Sequence, residues 1–408
     1  MAGSKDNGSK RISFIKAATG AMVITILTIA VAQILTGAMT SLEAFTPREK
    51  MNDFSFSDFY TLSASNANAV IPDSNITIVA LDGCTRAQMG HAIATIDSCH
   101  ASVIGIDLIF NPPTTTPDDP VIAAIDSLPN IVLPVTLKEP TGHCFTAAEA
   151  SYFEPLLVNE HEHGAVNING TFENSTTRYF KAEFETIHGP VPSIATIISD
   201  IYDPGAGSEL LERDKDIELI NFSSRVFNIL KPHELSANAD LLRGKIVLIG
   251  YIDDAADMHR TPLVNRMPGI LIHANTIATI IGREYIELSP RWLTYMVALT
   301  ACYMMVLARF FLRRYKWGPM LVRLIQTGLL IGVLYLGAIV FIRNNYSFDF
   351  TPTIKLTILG IVMMDFSTGL AFIGQRIAHH THRLYRKAFP KPKKKDIKLL
   401  PITSTSSK

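Results

Sequence analysis

The sequence contains little cysteine, with 4 cysteines in 408 residues. Cys302 lies in a long apolar run, and the other three lie between residues 40 and 290. At about 1.5 Å per residue, the helix predicted between Cys84 and Cys99 would hold these two about 20 Å apart, too far for a disulfide. Cys84 and Cys144 are then the one plausible pair, and three free thiols are the better interpretation.

The motifs of several enzyme classes are also missing. The chain has no G-x-S-x-G nucleophile turn, no G-x-x-x-x-G-K-[ST] phosphate loop and no dinucleotide-binding fingerprint. Gly244 is followed by Lys245 in the stretch RGKIVLIG, but the glycine spacing does not fit a phosphate loop. We therefore expect a protein that is not an enzyme and that uses no cofactor.

Acidic residues are scarce outside the central part of the chain. Residues 40–290 hold 33 Asp and Glu against 15 Lys and Arg, whereas the remainder holds 4 against 22. The net charge of zero therefore combines an acidic block with two basic ends. Because an acidic block repels phosphates, nucleic-acid binding is disfavoured.

The basic parts contain four apolar runs, at residues 17–39, 292–312, 321–342 and 353–373. Each is long enough to cross a hydrocarbon core of about 30 Å, which takes about 20 apolar residues in a helix. Basic clusters precede the first run and follow the second and fourth, so the positive-inside rule places residues 1–16 and 374–408 in the cytoplasm and 40–290 outside. A cleaved signal peptide is the alternative for the first run, but its apolar stretch exceeds the usual length of about 7 to 15 residues, which favours a retained anchor.

The acidic block alternates between two hydrophobic patterns. Near-continuous apolar strands are predicted at residues 75–83, 101–113, 130–137, 216–223 and 244–250, with helical patterns between and after them. Strands of this kind are buried on both faces of a largely parallel sheet. We therefore predict an α/β extracytoplasmic domain with a largely parallel sheet, held by one N-terminal and three C-terminal transmembrane helices. The less regular segment 140–185 is expected to add antiparallel strands.

Seven stretches of this block carry a family resemblance, in the order FSFSDFY, ITIVALD, VIGIDLIFNPP, ELINFS, LLRGKIVLIG, DMHRTPL and MPGILIHAN. Together, over residues 54–283, they resemble the class-two CHASE family of bacterial sensory extracellular domains that accompany cyclases and histidine kinases. The resemblance implies a sensor domain in the periplasm, anchored in the bacterial inner membrane and followed by three membrane helices.

The chain also departs from the family pattern. Leu271 stands where the family commonly has an acid, and the turn near Val166 retains only Arg178 in a comparable place. Residues 374–408 are too few for a domain of about 100 residues, so we expect that the family's usual cytoplasmic kinase or cyclase does not follow the last apolar run. The resemblance therefore implies that the signalling output lies on a separate cytoplasmic or membrane partner.

Candidate ligand-binding residues follow the predicted strands. Ligands of parallel α/β sheets bind beyond the carboxyl ends of the strands, where the sequence places Asp82, Asp107, Asn221 and Asp257, with His259 close by. If the three aspartates converge, their carboxylates could hold a hard cation. The alternative is that each acid caps a helix or bonds a neighbouring loop. Whether a metal binds stays open at this point.

Other histidines are interpreted structurally. His273 belongs to a helix whose apolar residues recur at helical spacing, and we expect it to bond a loop carbonyl. The stretch HEHG places His161 and His163 on one side of a strand, but two ligands do not close a zinc site, so we expect a solvated loop there.

Asp365 interrupts the fourth apolar run. A carboxylate inside the membrane needs a partner or a proton. Arg323 and Gln326 enter the third run from the same side, so we expect one of them to satisfy Asp365. Such a contact serves either signal coupling through the bundle or only its packing.

Two functions are consistent with these observations. The first is a receptor that binds an unidentified small molecule or envelope component. The alternative is a non-sensing module that docks other envelope proteins during assembly. The aromatic residues of segment 46–62, Phe54, Phe56, Phe59 and Tyr60, supply either a homodimer contact or rings that pack against their own domain.

Overall fold

The structure is a computed structural model that describes residues 3–43, 55–67, 71–113, 119–138, 145–168, 176–222, 225–312 and 315–388. The chain divides into two compact units. The membrane unit comprises Met1–Ala32, Leu299–Val322 and Lys355–Lys408, and the sensor unit comprises Gln33–Ala298 and Arg323–Ile354.

The helices are α1 (Gly3–Glu43), α2 (Phe56–Ala67), α3 (Arg86–Ser98), α4 (Asp119–Asp126), α5 (Ile194–Tyr202), α6 (Ala206–Glu212), α7 (Gly269–Ile281), α8 (Arg291–Leu312), α9 (Gly318–Asn344) and α10 (Thr351–Ala388). The strands are β1 (Ile71–Ala80), β2 (Val103–Asp107), β3 (Ile131–Lys138), β4 (Thr146–Glu149), β5 (Glu162–Ala165), β6 (Tyr179–Phe180), β7 (Glu183–Thr186), β8 (Gly189–Pro192), β9 (Glu218–Leu219), β10 (Arg225–Leu230), β11 (Ile246–Gly250), β12 (Met258–His259), β13 (Met267–Pro268), β14 (Glu287–Leu288) and β15 (Tyr346–Ser347).

A seven-stranded sheet organises the sensor unit. Six strands run parallel in the order β10-β1-β11-β2-β3-β5, and β4 pairs antiparallel with β3. This arrangement confirms the predicted largely parallel sheet. It also confirms that the less regular segment 140–185 adds an antiparallel strand, β4, which pairs with β3.

Apolar side chains cover both faces of this sheet. Successive residues of a strand point to opposite faces, and all five residues of β11 are buried. Ile246 and Leu248 join the core formed with α5 and α7, whereas Val247 and Ile249 join the core formed with α3 and α4. A strand with two buried faces must be apolar throughout, which explains the continuous run IVLIG.

The predicted strand at residues 216–223 lies elsewhere than expected. Only Glu218–Leu219 form a strand, and β9 pairs antiparallel with β6, outside the main sheet. The strand that borders β1 is instead β10, which the sequence pattern did not predict.

Three helices among the described residues are long and apolar enough to cross a membrane: Phe14–Thr36, Arg291–Leu312 and Gly318–Asn344. The fourth predicted span, residues 353–373, lies within α10 and stays a prediction. Within the membrane unit, a Cβ on Gly20 of α1 would lie 2.9 Å from Cζ of Phe310 on α8. A Cβ on Gly360 of α10 would lie 2.8 Å from Sγ of Cys302 on α8. Small residues therefore allow close approach between these helices.

Candidate functional site

The carboxyl ends of three adjacent strands bring the predicted acids to one edge of the sheet. β1, β11 and β2 are neighbours, and Ala80, Gly250 and Asp107 are aligned across them. Asp82 lies two residues beyond Ala80, and the acidic loop begins after Gly250. The sequence therefore correctly placed Asp82, Asp107 and this loop at the same edge.

Asp82 binds the loop that follows β11. Its Oδ1 accepts a hydrogen bond from the backbone N of Asp253 at 2.9 Å, and its Oδ2 accepts one from the backbone N of Ile252 at 3.0 Å. These bonds satisfy two loop donors and fix the path of the chain after Gly250. Asp82 therefore bonds a neighbouring loop, which is the structural alternative to ligand binding that the sequence left open.

Asp257 is bonded to the start of α7. Its Oδ2 accepts a hydrogen bond from the backbone N of Gly269 at 3.1 Å, and its Oδ1 lies 3.0 Å from Nε2 of His259. A carboxylate is favoured there because a helix N-terminus carries unsatisfied N–H groups and partial positive charge. A Cβ on Gly269 would lie only 2.8 Å from Cγ of Asp257, so a side chain at this position would displace the carboxylate.

Asp107 faces His273 in a largely desolvated position. Its Oδ1 lies 3.8 Å from Nε2 of His273, and the two side chains are 16% and 9% exposed. Burial raises the pKa of Asp107; the charge of His273 opposes this rise, that of Asp257 adds to it, and that of His259 opposes it. His273 therefore faces a carboxylate where the sequence interpretation expected a loop carbonyl, at a distance longer than a hydrogen bond.

Asn221 does not join this group. It follows β9, which lies outside the main sheet, and its side-chain Nδ2 donates to the carbonyl oxygen of Glu284 at 3.2 Å. Its backbone N donates to Oγ1 of Thr279 at 3.1 Å. The expectation that Asn221 lies at the carboxyl edge is therefore wrong, because its strand was assigned to the wrong sheet.

The described residues contain no group of three His, Cys, Asp or Glu side chains placed to hold a metal ion. Two of the three aspartates already use their carboxylate oxygens on backbone N–H groups. The geometry favours the capping and loop-bonding alternative over a cation shared by Asp82, Asp107 and Asp257.

A small pocket of about 20 Å³ lies beside His273, on the side of α5 and α7. The segment after β5, strand β6, the start of α5 and the first turns of α7 form its wall. Its lining includes Asn167, Ile168, Tyr179, Phe180, Lys181, Ser193, Ala195, Ile220, Ile272, His273 and Thr276. We call it the α5–α7 pocket. A cavity of this size holds about one water molecule, so a larger occupant has to displace side chains of the wall such as Tyr179.

His273 is the residue that the sequence interpretation undervalued. It lines the α5–α7 pocket and also faces Asp107. The signal was present in the chain order, because α7 follows the acidic loop at the carboxyl edge and brings its first two turns there. The apolar residues that recur along α7 led us to interpret His273 as a structural residue only.

The chain matches the CHASE2 domain family over residues 26–308, more than two thirds of its length. It belongs to the CHASE2 domain family. The match confirms the resemblance seen over residues 54–283 and extends it into the apolar helices α1 and α8 on either side. Membership implies an extracellular sensory domain. No curated protein and no solved structure matches the chain.

The cysteines of the CHASE2 domain agree in part with expectation. Cys84 and Cys99 are free thiols, as is Cys302 in α8. Burial, followed by the nearby charge of Asp82, raises the pKa of Cys84. Cys144, the partner considered for Cys84, lies outside the described residues.

The stretch HEHG, residues 161–164 of the CHASE2 domain, differs from the solvated loop that we expected there. The side chain of His161 is 2% exposed and lies 3.8 Å from Oδ1 of Asp126. His163 is half-exposed, with Nε2 3.1 Å from Oε2 of Glu154. The hydrogen bond to Glu154 raises the pKa of His163, and burial opposes it. His161 is therefore a packed residue and not a solvated one.

Asp365 has a partner on a helix that we did not expect. Nη2 of Arg309 on α8 donates to its Oδ1 at 2.9 Å. Both residues belong to the membrane unit, whereas Arg323 and Gln326 belong to the other unit, so their contact with Asp365 stays a prediction. Arg309 was overlooked because it ends the second apolar run and was counted only as a topology signal.

Proposed function

We propose that this chain is a receptor of the bacterial inner membrane. Its CHASE2 domain binds a small molecule or envelope component outside the membrane, and its helices pass the signal to a cytoplasmic or membrane partner. The observation that carries the proposal is the α5–α7 pocket, which lies beyond the carboxyl ends of parallel strands in a sensory domain. That position is where open α/β sheets bind ligands.

The proposal assigns binding and no catalysis to the chain. The sequence carries none of the nucleophile motifs sought above. His273 instead offers an imidazole to the pocket, with the Asp107 carboxylate 3.8 Å behind it. This side chain suits recognition of a polar group on a ligand.

The proposed topology has four spans, with both ends of the chain in the cytoplasm and the CHASE2 domain in the periplasm. The basic clusters support it, and α10 contains the fourth span. A reporter protein that is active only in the cytoplasm should be active when it is fused after Lys408. Activity of a periplasm-specific reporter at the same position would overturn this arrangement.

The receptor proposal is tested by filling the α5–α7 pocket. Ile168→Trp places an indole on a pocket-lining residue, and Ile122→Trp is a matched control on α4 that packs against the other core. We expect quantitative mass spectrometry of the affinity-purified full-length chain to recover a signalling protein. Its amount should change at least about threefold with Ile168→Trp and stay constant with the control.

Recovery of envelope-assembly proteins alone, in amounts that both tryptophan variants leave unchanged, would refute the receptor proposal. That outcome would instead favour the assembly module.

We also propose that the receptor forms a homodimer through the membrane-proximal helix α2. Tyr60 of α2 is fully buried and Phe56 is half-buried, so these two rings pack against their own domain. Phe59 and Leu62 are 40% and 44% exposed and remain available. Leu62→Cys should crosslink in native membranes, whereas Ser57→Cys should not, because Ser57 is buried. Absence of a Leu62→Cys dimer would contradict this interface.

A further inference from the structure

Residues 176–180 lie between the candidate site and the membrane-proximal helix α2, and we call them the bridging segment. At one side, the backbone N of Thr177 donates to the carbonyl oxygen of Arg260 at 2.7 Å. Arg260 directly follows His259 in the loop that also carries Asp257. The backbone of the bridging segment is thus attached to the acidic loop of the candidate site.

Arg178 attaches the same segment to α2. Its Nε donates to Oδ1 of Asp58 at 2.6 Å, and its Nη2 donates to Oδ2 at 2.7 Å. The side chains of Arg178 and Asp58 are 9% and 19% exposed. A two-point bond of this kind fixes both distance and orientation. Separating the pair would leave a buried charge without its partner, so α2 is held firmly to the segment.

Tyr179 attaches the segment to both the pocket and the membrane side. It lines the α5–α7 pocket, and it also packs against a cluster of buried residues that we call the juxtamembrane cluster. The juxtamembrane cluster consists of Tyr60, Leu219, Ile286, Phe341 and Phe350. One aromatic ring is therefore shared between the pocket wall and the packing below it.

Tyr60 of the juxtamembrane cluster connects α2 to the end of α9. Its hydroxyl donates to the carbonyl oxygen of Phe348 at 3.3 Å. A Cβ on Gly337 of α9 would lie 2.7 Å from Cζ of Tyr60, so the ring rests against the helix backbone. Burial, and then the charge of Asp349, raises the pKa of Tyr60, which keeps this hydroxyl protonated as a donor.

We infer that the bridging segment couples the state of the α5–α7 pocket to α2 and to the outer end of α9. The inference rests on the proposed function and adds the route by which a pocket event reaches the membrane helices. Displacement of Tyr179 by a pocket occupant changes the packing around Tyr60, and Arg178 carries the same displacement to Asp58. Because cores are closely packed, such a shift moves the neighbouring element as a body.

The coupling is tested without a ligand, by hydrogen exchange in the full-length chain reconstituted in lipid nanodiscs. The readout is the exchange rate of the α2 amides. Ile168→Trp mimics an occupant of the pocket, and Ile122→Trp is its matched control. We expect Ile168→Trp to change α2 exchange at least about threefold and Ile122→Trp to leave it unchanged.

A second set of variants separates coupling from simple stability. Arg178→Gln should raise α2 exchange at least about tenfold. Arg225→Gln, which breaks ion pairs with Asp73 and Glu284 at the far edge of the sheet, should leave α2 exchange unchanged. In the Arg178→Gln background, Ile168→Trp should have no further effect on α2. If Arg178→Gln does not fold, the double variant Asp58→Arg with Arg178→Asp is measured in its place. This variant keeps an ion pair with the two charges exchanged, so Ile168→Trp should again change the exchange rate of α2.

An exchange rate of the α2 amides that is the same with and without Ile168→Trp would overturn the coupling. So would a response of equal size with and without the Arg178–Asp58 pair. The receptor proposal is judged separately, because its test measures recovery of a signalling protein and not the exchange of α2.

Discussion

Oδ1 of Asp107 lies 3.8 Å from Nε2 of His273, at the carboxyl edge of the sheet and beside the α5–α7 pocket. The acid ends β2 and the histidine lies in the second turn of α7, so the pair joins a strand to a helix. Either side chain alone would be a buried polar group at a cost in stability. Together they form a titratable site in the sensory domain.

Asp107 should make stability depend on pH. Burial raises its pKa in the fold, so the folded chain keeps this proton to a higher pH than the unfolded chain does. Its contribution is therefore complete below the ordinary aspartate pKa and is lost as the pH rises through the raised value. The melting temperature of the wild type relative to Asp107→Asn should fall across that window. Asp97→Asn, at an exposed position on α3, should show no such trend. A difference in melting temperature between the wild type and Asp107→Asn that stays constant with pH would contradict the raised pKa of Asp107.

Gly269→Ala should destabilise the start of α7. In Gly269→Ala the new Cβ would meet the Asp257 carboxylate, whose Cγ would lie 2.8 Å away, so either the acidic loop or the start of α7 must shift. We expect a loss of about 1 to 3 kcal/mol, seen as a lower melting temperature of the full-length chain. Gly328→Ala in α9 is the control, because nothing lies within 4 Å of its Cβ position. Equal melting temperatures for the two variants would show that the contact is unimportant.

Millimolar calcium or magnesium should leave the melting temperature of the full-length chain unchanged. Asp82 and Asp257 already bond backbone N–H groups, so the three aspartates do not offer a free set of oxygen ligands. A cation that bound only the folded state would raise the melting temperature by mass action. A rise that disappears in Asp82→Asn would revive the cation hypothesis.

Asp365→Leu should destabilise the membrane unit by about 1 to 3 kcal/mol, because it removes the carboxylate that the Arg309 guanidinium bonds. Asp365→Asn should cost less, since an amide oxygen can still accept the hydrogen bond. The double variant Arg309→Met with Asp365→Leu should recover most of the loss. Thermal stability in detergent measures all three, with Val362→Leu at an exposed position of α10 as the control. Failure of the double variant to recover would mean that the pair is not the cause.

The sheet and its binding edge were largely predictable because their causes are local. β1, β2, β3 and β11 are buried on both sides, and this double burial imposes the apolar runs that the sequence shows. Asp82 and Asp107 follow those strands directly. Their placement at one edge needed only the assumption that the strands are neighbours, which the register of β1, β11 and β2 confirms.

Features that depend on pairing between distant segments were not predictable. β10 lies at the sheet margin with Val226 and Ile229 exposed, and its polar Arg225 and Asn228 weakened the strand pattern. The partners of His273 and Asp365 come from β2 and α8, and no local spacing indicates either contact. Helix neighbours in the membrane are selected by shape as much as by polarity.

The order of strands also determines when this domain is able to fold. β1 is the first strand of the sheet to be synthesised, yet both of its neighbours, β10 and β11, begin only at residues 225 and 246. During export, β1 therefore remains unpaired in the sheet until almost the whole domain has crossed. Sheets that depend on such late, distant pairings form slowly and expose unpaired strand edges in the meantime. The apolar helix α8 begins at residue 291, so the last strand of the main sheet is synthesised before this helix.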